Sequence, residues 1–204
     1  EQQTEKPTPP SPPISEDFDG EPRLSLFPRV GDFRPAGDDT ERMQYWRTFL
    51  EHVVKTSGVA EGAGRDNSRA FALRSIKSLS SVGFFSPLAV EPSTSYRVTF
   101  YLRGNLPPEG EAGIGALEYD RFLWIADQFT SVLFEKHFIR FHKGIRLNGK
   151  QSWDRHEFTF ETSPETGMIH LVLFREGEHN REPVFFDDIR IEKAAATGPE
   201  NSLD

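Results

Sequence analysis

The feature that most constrains this chain is a two-residue rhythm. In residues 95–104, Tyr96, Val98, Phe100 and Leu102 share one side, and Arg97, Thr99, Tyr101 and Arg103 share the other. Side chains along a strand point alternately to its two faces, so this run predicts a half-buried β-strand. The rhythm recurs. Within residues 70–76 Phe71 and Leu73 alternate against Arg74, Phe158 and Phe160 fall inward within residues 156–161, and residues 168–174 alternate again. Residues 184–191 end the pattern with Phe185, Asp187, Ile189 and Ile191 in phase. Turn residues separate the runs, at Pro92-Ser93, Pro107-Pro108-Glu109-Gly110, Asn148-Gly149, Pro164-Glu165-Thr166-Gly167 and Glu176-Gly177. Many short half-buried strands with polar turns predict an all-β antiparallel sandwich.

Two segments break the rhythm. Met43, Trp46, Leu50 and Val53 recur at helical spacing, although a short strand around residues 45–49 fits as well. From Arg121 to Leu147 no Gly or Pro intervenes before Gly144. There Phe122, Ile125, Phe129 and Val132 suit a helical insertion, while residues 134–142 can pair as a strand.

Residues 1–22 hold six of the fifteen prolines and six acids against one lysine, with Ile14 and Phe18 as the only large apolar side chains. So little apolar surface does not offset the entropy of ordering, and a disordered Pro-rich tether is expected. Residues 194–204 lose the alternation and are expected to fray, which leaves 23–193 as one domain. A tether of this kind spaces an exported domain from a membrane anchor or a neighbour, so the protein is expected to be secreted, periplasmic or cell-surface. No run of 18 apolar residues is present to span a membrane.

The order of landmarks carries further information. Val30-Gly31-Asp32-Phe33 is followed by Trp46, then Arg69-Ala70-Phe71-Ala72-Leu73, then residues 84–92 and the strand from Tyr96 to Arg103. Ser152-Trp153, Glu157-Phe158-Thr159-Phe160 and Val184-Phe185-Phe186-Asp187-Asp188-Ile189-Arg190-Ile191 close the series. Over about residues 30–192, insertion excepted, this order resembles the galactose-binding-like jelly rolls that serve as carbohydrate-binding modules beside xylanases and laminarinases. The resemblance implies a jelly-roll β-sandwich that binds polysaccharide without catalysis, on the concave sheet face or at the loop edge. It also places Trp46 and Trp153 in the core. Relatives typically open on Asn-Gly-x-Phe-Glu, whose Glu helps hold a structural calcium with one Asp of the closing pair. Val30 and Arg34 depart from that opening, and arginine offers a hard cation no oxygen. The expectation is that Arg34 pairs with Asp187 or Asp188 in place of the ion, the alternative being a solvated Arg34 with a structural calcium held by other ligands. No other cofactor is expected.

Chemistry beyond binding finds little support. No two of the six histidines stand at His-x3-His spacing, no His-Glu-x-x-His occurs, and cysteine is absent, which excludes a thiol nucleophile and a disulfide frame. No Gly-x-Ser-x-Gly elbow surrounds Ser78, Ser80 or Ser81. The acids Glu118, Asp120, Asp154, Glu157 and Glu161 lie on or near strands and read as solvated sheet edges rather than a glycosidase pair. A net charge of -8 argues against nucleic acid. Binding of sugar needs aromatic faces for C–H surfaces and polar side chains for hydroxyls. Arg97, Tyr101 and Arg103 on the outer face of one strand supply both, and Tyr119 and Trp124 are candidates for the wall of the same groove. Residues 121–147 carry a net charge of +3, from five basic residues against Asp127 and Glu135. Such a patch suits an anionic polysaccharide, or a protein partner if the chain is instead a structural or assembly module of the cell envelope.

Overall fold

Alternation resolves into two stacked layers. The computed structural model describes residues 8–21, 23, 26–31, 58–66, 68–74, 80–123 and 136–195. Its strands are β1 (Ile14–Glu16), β2 (Leu26–Gly31), β3 (Gly58–Glu61), β4 (Arg69–Leu73), β5 (Ser80–Phe85) and β6 (Leu88–Ala89). Then follow β7 (Ser95–Asn105), β8 (Gly110–Tyr119), β9 (Phe138–Leu147), β10 (Lys150–Glu161), β11 (Met168–Gly177) and β12 (Val184–Lys193). They form two antiparallel six-stranded sheets. The first, sheet A, runs β10-β7-β12-β4-β3 with β1 also on β12. The second, sheet B, runs β2-β5-β11-β8-β9 with β6 also on β11. This is the expected jelly-roll sandwich.

The core lies where the inner faces meet. Tyr96, Val98, Phe100 and Leu102 of β7 face Ala112, Ile114 and Ala116 of β8 and Ile169, Leu171 and Leu173 of β11, all essentially sealed from water. Each large side chain so buried contributes roughly 1.5–3 kcal/mol. The phase read from residues 95–104 is therefore the phase of the fold.

At β12 the expected phase fails. The register with β7 shifts between Asp187 and Arg190, and Asp188 takes a positive φ of 47°. This β-bulge turns Phe186 into the core, with its ring 5.9 Å from that of Phe100, and leaves Phe185 half-buried on the outer face. Asp187 is buried too, but opposite Tyr101 on the outer side rather than in the core phase of Ile189 and Ile191. Burial pushes its carboxyl up to about 6, although N–H groups of Arg65 and Asp188 oppose the shift.

The arginine expected to hold this acid pair, Arg34, lies outside the described residues. Arg65 serves instead: its backbone N–H donates to Asp187 Oδ2 at 3.1 Å and its guanidinium to Asp188 Oδ2 at 2.7 Å. The Asp188 N–H donates to Asp187 Oδ1 at 2.8 Å. The closing pair is thus engaged by the backbone and guanidinium donors of Arg65 and by the Asp188 N–H. Among the described residues, no three His, Asp or Glu side chains converge as a metal site.

Two further expectations are corrected. The helical insertion, read from Phe122 to Val132, finds no support among the described residues, whereas the strand read within residues 134–142 is present as β9, which runs along β8 from residue 138 to 147. Gly144, at φ 64°, sits where the β8–β9 register slips and allows the strand to bend without ending. Residues 124–135, like Trp46 and the rest of 32–57, lie outside the described residues. The tether is also shorter than expected. Ile14, Ser15 and Glu16 pair with Ile191, Arg190 and Ile189, and the buried Phe18 ring packs 5.9 Å from that of Phe71. The Glu16 carboxylate accepts the N–H groups of Phe18 and Arg23 at 2.8 Å. Two apolar side chains suffice because β4 takes only the first part of β12, leaving residues 189–191 with an edge to pair.

Candidate ligand-binding cleft

The outer face of sheet A carries the expected strand-face residues. Arg97, Thr99, Tyr101 and Arg103 all stand half-buried there. They do not form one site. Arg97 lies six residues from Arg103, about 20 Å along the strand, beside Glu192 and Thr159. Tyr101 is covered by Arg65, whose guanidinium carbon lies 3.4 Å from the ring centroid. That ring face is occupied by the chain itself, so Tyr101 is a support rather than an open platform.

Arg103 stands in a cleft. Its guanidinium carbon lies 4.3 Å from the Phe185 ring centroid and 5.3 Å from that of Trp153, a cation–π sandwich spanning β12, β7 and β10. The cleft holds about 620 Å³, with Gln151 and Asn105 among its polar lining. Both aromatics reach it through irregular backbone. Trp153 has a φ of 58°, in a bulge where the β10–β7 register shifts between Ser152 and Asp154. The Ser152 N–H donates to Asp154 Oδ2 at 3.1 Å and fixes that bulge. A bulky residue at positive φ is uncommon, and here the bulge re-aims the indole outward. The expectation that Trp153 belongs to the core is corrected: it is partly exposed and lines the cleft. Phe185 arrives by the β12 bulge. Strict period-two reading hides both, and the doublets Phe185-Phe186 and Asp187-Asp188, which cannot alternate, were the available signal.

The far lip of the cleft is held from below. Arg175 on β11 is only 2% exposed. It donates to the carbonyls of Leu73 at 3.2 Å and Glu182 at 2.6 Å, and to Asn180 Oδ1 at 2.8 Å. Burial, with Arg74 nearby, pulls its pKa down to about 10, so it remains charged at neutral pH. The β11–β12 loop that presents Glu182 and Pro183 to the cleft is therefore pre-set.

The remaining candidates stand elsewhere. Tyr119 is not a groove wall: it is fully buried behind sheet B, its ring edge-on to Phe138 at 6.0 Å and to His170 at 5.3 Å. The strand phase predicts its direction out of the core, but the back of sheet B is itself covered. Trp124 lies outside the described residues.

The carboxylates are occupied as well. Glu118 is fully buried and is bonded by Arg140 Nε and His142 Nε2, by the Thr166 hydroxyl at 2.6 Å and by the Ser163 N–H at 2.9 Å. Burial alone would raise its pKa; the hydrogen bonds from His142, Thr166 and Arg140 outweigh it and hold the group at about 2. A carboxylate so held does not donate protons near neutral pH. Glu157 pairs with Arg155 at 3.3 Å, and Asp120 with His137 at 2.9 Å. The positive charge expected over residues 121–147 is largely answered too. Arg140 serves Glu118, while Arg146 bridges Glu111 at 2.9 Å and Glu176 at 2.7 Å.

No protein-family model and no curated protein matches the chain. Solved carbohydrate-binding modules, the likeness expected from the landmarks, align with the chain at TM-scores below 0.5. The N-terminal CBM22-1–GH10 modules of endo-1,4-beta-D-xylanase 10B from Clostridium thermocellum, solved with xylohexaose, align at TM-score 0.48 and 9% identity. That alignment covers 91% of this chain and 29% of the other. The CBM22-1–CBM22-2 tandem domain from Paenibacillus barcinonensis Xyn10C aligns at TM-score 0.46 and 16% identity, over 89% of this chain and 48% of that one. A family 16 carbohydrate-binding module aligns at 0.46 and 14%, over 66% and 84%. The chain thus spans less than half the length of the first two.

Proposed function

We propose that this chain binds polysaccharide, without catalysis, in the cleft lined by Trp153, Phe185 and Arg103. The observation that carries the reading is the cleft itself: on an otherwise polar sheet face, bulges in two strands bring an indole and a phenyl ring to one site rimmed by amide side chains. Aromatic surface accepts the C–H face of a pyranose, while Gln151, Asn105 and Arg103 offer hydrogen bonds to its hydroxyls. The lip is already anchored by Arg175, so little ordering opposes binding. Carboxylates engaged in ion pairs favour a non-catalytic role. Export to the cell exterior, where polysaccharide is met, belongs to the same proposal.

Affinity electrophoresis in gels containing soluble polysaccharides, followed by isothermal titration calorimetry, tests it. Trp153→Ala is expected to weaken binding about tenfold or more, equivalent to about 1.4 kcal/mol, while the melting temperature stays close to that of the parent. A glycan that binds equally well to Trp153→Ala binds elsewhere, and the cleft is then not the site.

A further inference from the structure

The cleft contains a charge that no described residue answers. Arg65, Arg140, Arg146, Arg155 and Arg190 each sit on a carboxylate. Arg103 does not. Among the described residues its one acceptor is the Ala63 carbonyl at a long 3.4 Å, and its Nε, screened from water, has none. A partly desolvated cation without a counter-ion is costly, and the flanking rings of Phe185 and Trp153 offset only part of that cost. Two other charged side chains line the cleft, Lys150 and Glu182, and they cancel. Net positive charge remains at the point where the aromatics converge. A guanidinium presents a planar fork of donors that matches the two oxygens of a carboxylate, whereas a neutral hydroxyl answers neither the charge nor the fork.

We infer that the cleft selects acidic sugars: Arg103 receives the carboxylate of a uronic acid residue whose ring lies against Trp153. The inference rests on the polysaccharide reading above and narrows its ligand class.

Calorimetry with oligomers of galacturonate, glucuronate-bearing xylan and alginate, each beside a copy whose carboxyl groups are reduced to hydroxymethyl, decides it. At least one acidic glycan is expected to bind about tenfold or more tightly than its reduced form. The gap should shrink as salt is raised, since screening acts on charge and not on stacking. Arg103→Gln should bind both forms alike, at the level of the reduced glycan on the parent protein. Arg103→Lys should recover only part of the preference, because charge returns without the fork. Trp153→Ala should weaken both forms. The comparison on the unaltered protein needs no variant, so poor folding of Arg103→Gln does not shelter the inference. Equal affinity for acidic and reduced forms, or binding to neutral glycans alone, overturns the charge assignment and leaves the cleft reading standing. Binding to none of these glycans overturns both.

Discussion

Tyr101 and Tyr119 occupy equivalent positions in their strands, each pointing away from the core between the sheets, yet their surroundings differ completely. Behind sheet A, Tyr101 shares a half-exposed surface with arginines, and a guanidinium lies on its ring. Behind sheet B, Tyr119 has no exposure, and neither do Leu117, Met168 and Val172 beside it, while His170 is 1% exposed. Among the described residues the sandwich thus has a half-exposed outer face on sheet A, where ligands can arrive, and a sealed outer side along β8 and β11 of sheet B, which acts as a second core. Alternation reports which side of a strand a residue takes. It says nothing about which outer side is covered.

The contrast is best broken by substitution. Tyr119→Ala should cost about 3–5 kcal/mol, as for deletion of a fully buried aromatic, whereas Tyr101→Ala should cost no more than about 1 kcal/mol, the scale of an exposed cation–π contact. Chemical denaturation of both variants measures the difference, and similar values would erase the distinction between the faces. Next in size is Glu118→Ala, which strips a buried carboxylate from its donors and is expected to cost about 3 kcal/mol, the low end for a broken buried pair because Arg140 can turn to water.

Acid should separate the faces by sign, with smaller effects. Burial pulls His170, behind sheet B, down to about 4 from its ordinary 6.5. Between those values the unfolded chain binds the proton and the folded one does not, so His170 makes stability fall as pH drops from 6.5 to 4. Asp187, at the sheet A bulge, is raised to about 6 from 3.8. Its contribution is full below 3.8 and is lost as pH rises through 6. Denaturation at stepped pH should therefore show His170→Phe flattening an acid loss and Asp187→Asn flattening a neutral-pH loss. Changes in the same direction would refute one assignment. The smallest expected effect is that of Trp153→Ala on stability, within about 1 kcal/mol for a partly exposed side chain.

Much of this architecture is legible in the residues. The burial of Tyr96, Val98, Phe100 and Leu102 follows from period two, as does the inward turn of Phe160. The cleft is less legible, since its two aromatics are presented by backbone that departs from the pattern. Bulges at Ser152–Asp154 and Asp187–Arg190 advance the phase by a residue, and that step delivers Trp153 and Phe185 to the outside. Of the five expected binding residues, Arg103 alone lines the cleft. Tyr101 and Arg97 share its face but not its site, Tyr119 is sealed, and Trp124 lies outside the described residues. Ion-pair partners were not legible either: pairing of Arg65 with Asp188 spans more than half the chain.

The short strand Ile14–Glu16 also bears on how the protein should be handled. A version trimmed to begin at residue 23, on the view that everything earlier is spacer, would strip Ile189, Arg190 and Ile191 of their neighbour on the side away from β7. Their backbone would become a vacant template for any extended segment nearby, including Ile14–Glu16 of an intact molecule. Such a trimmed protein should self-associate, and a synthetic peptide of residues 8–21 should restore it to the monomer.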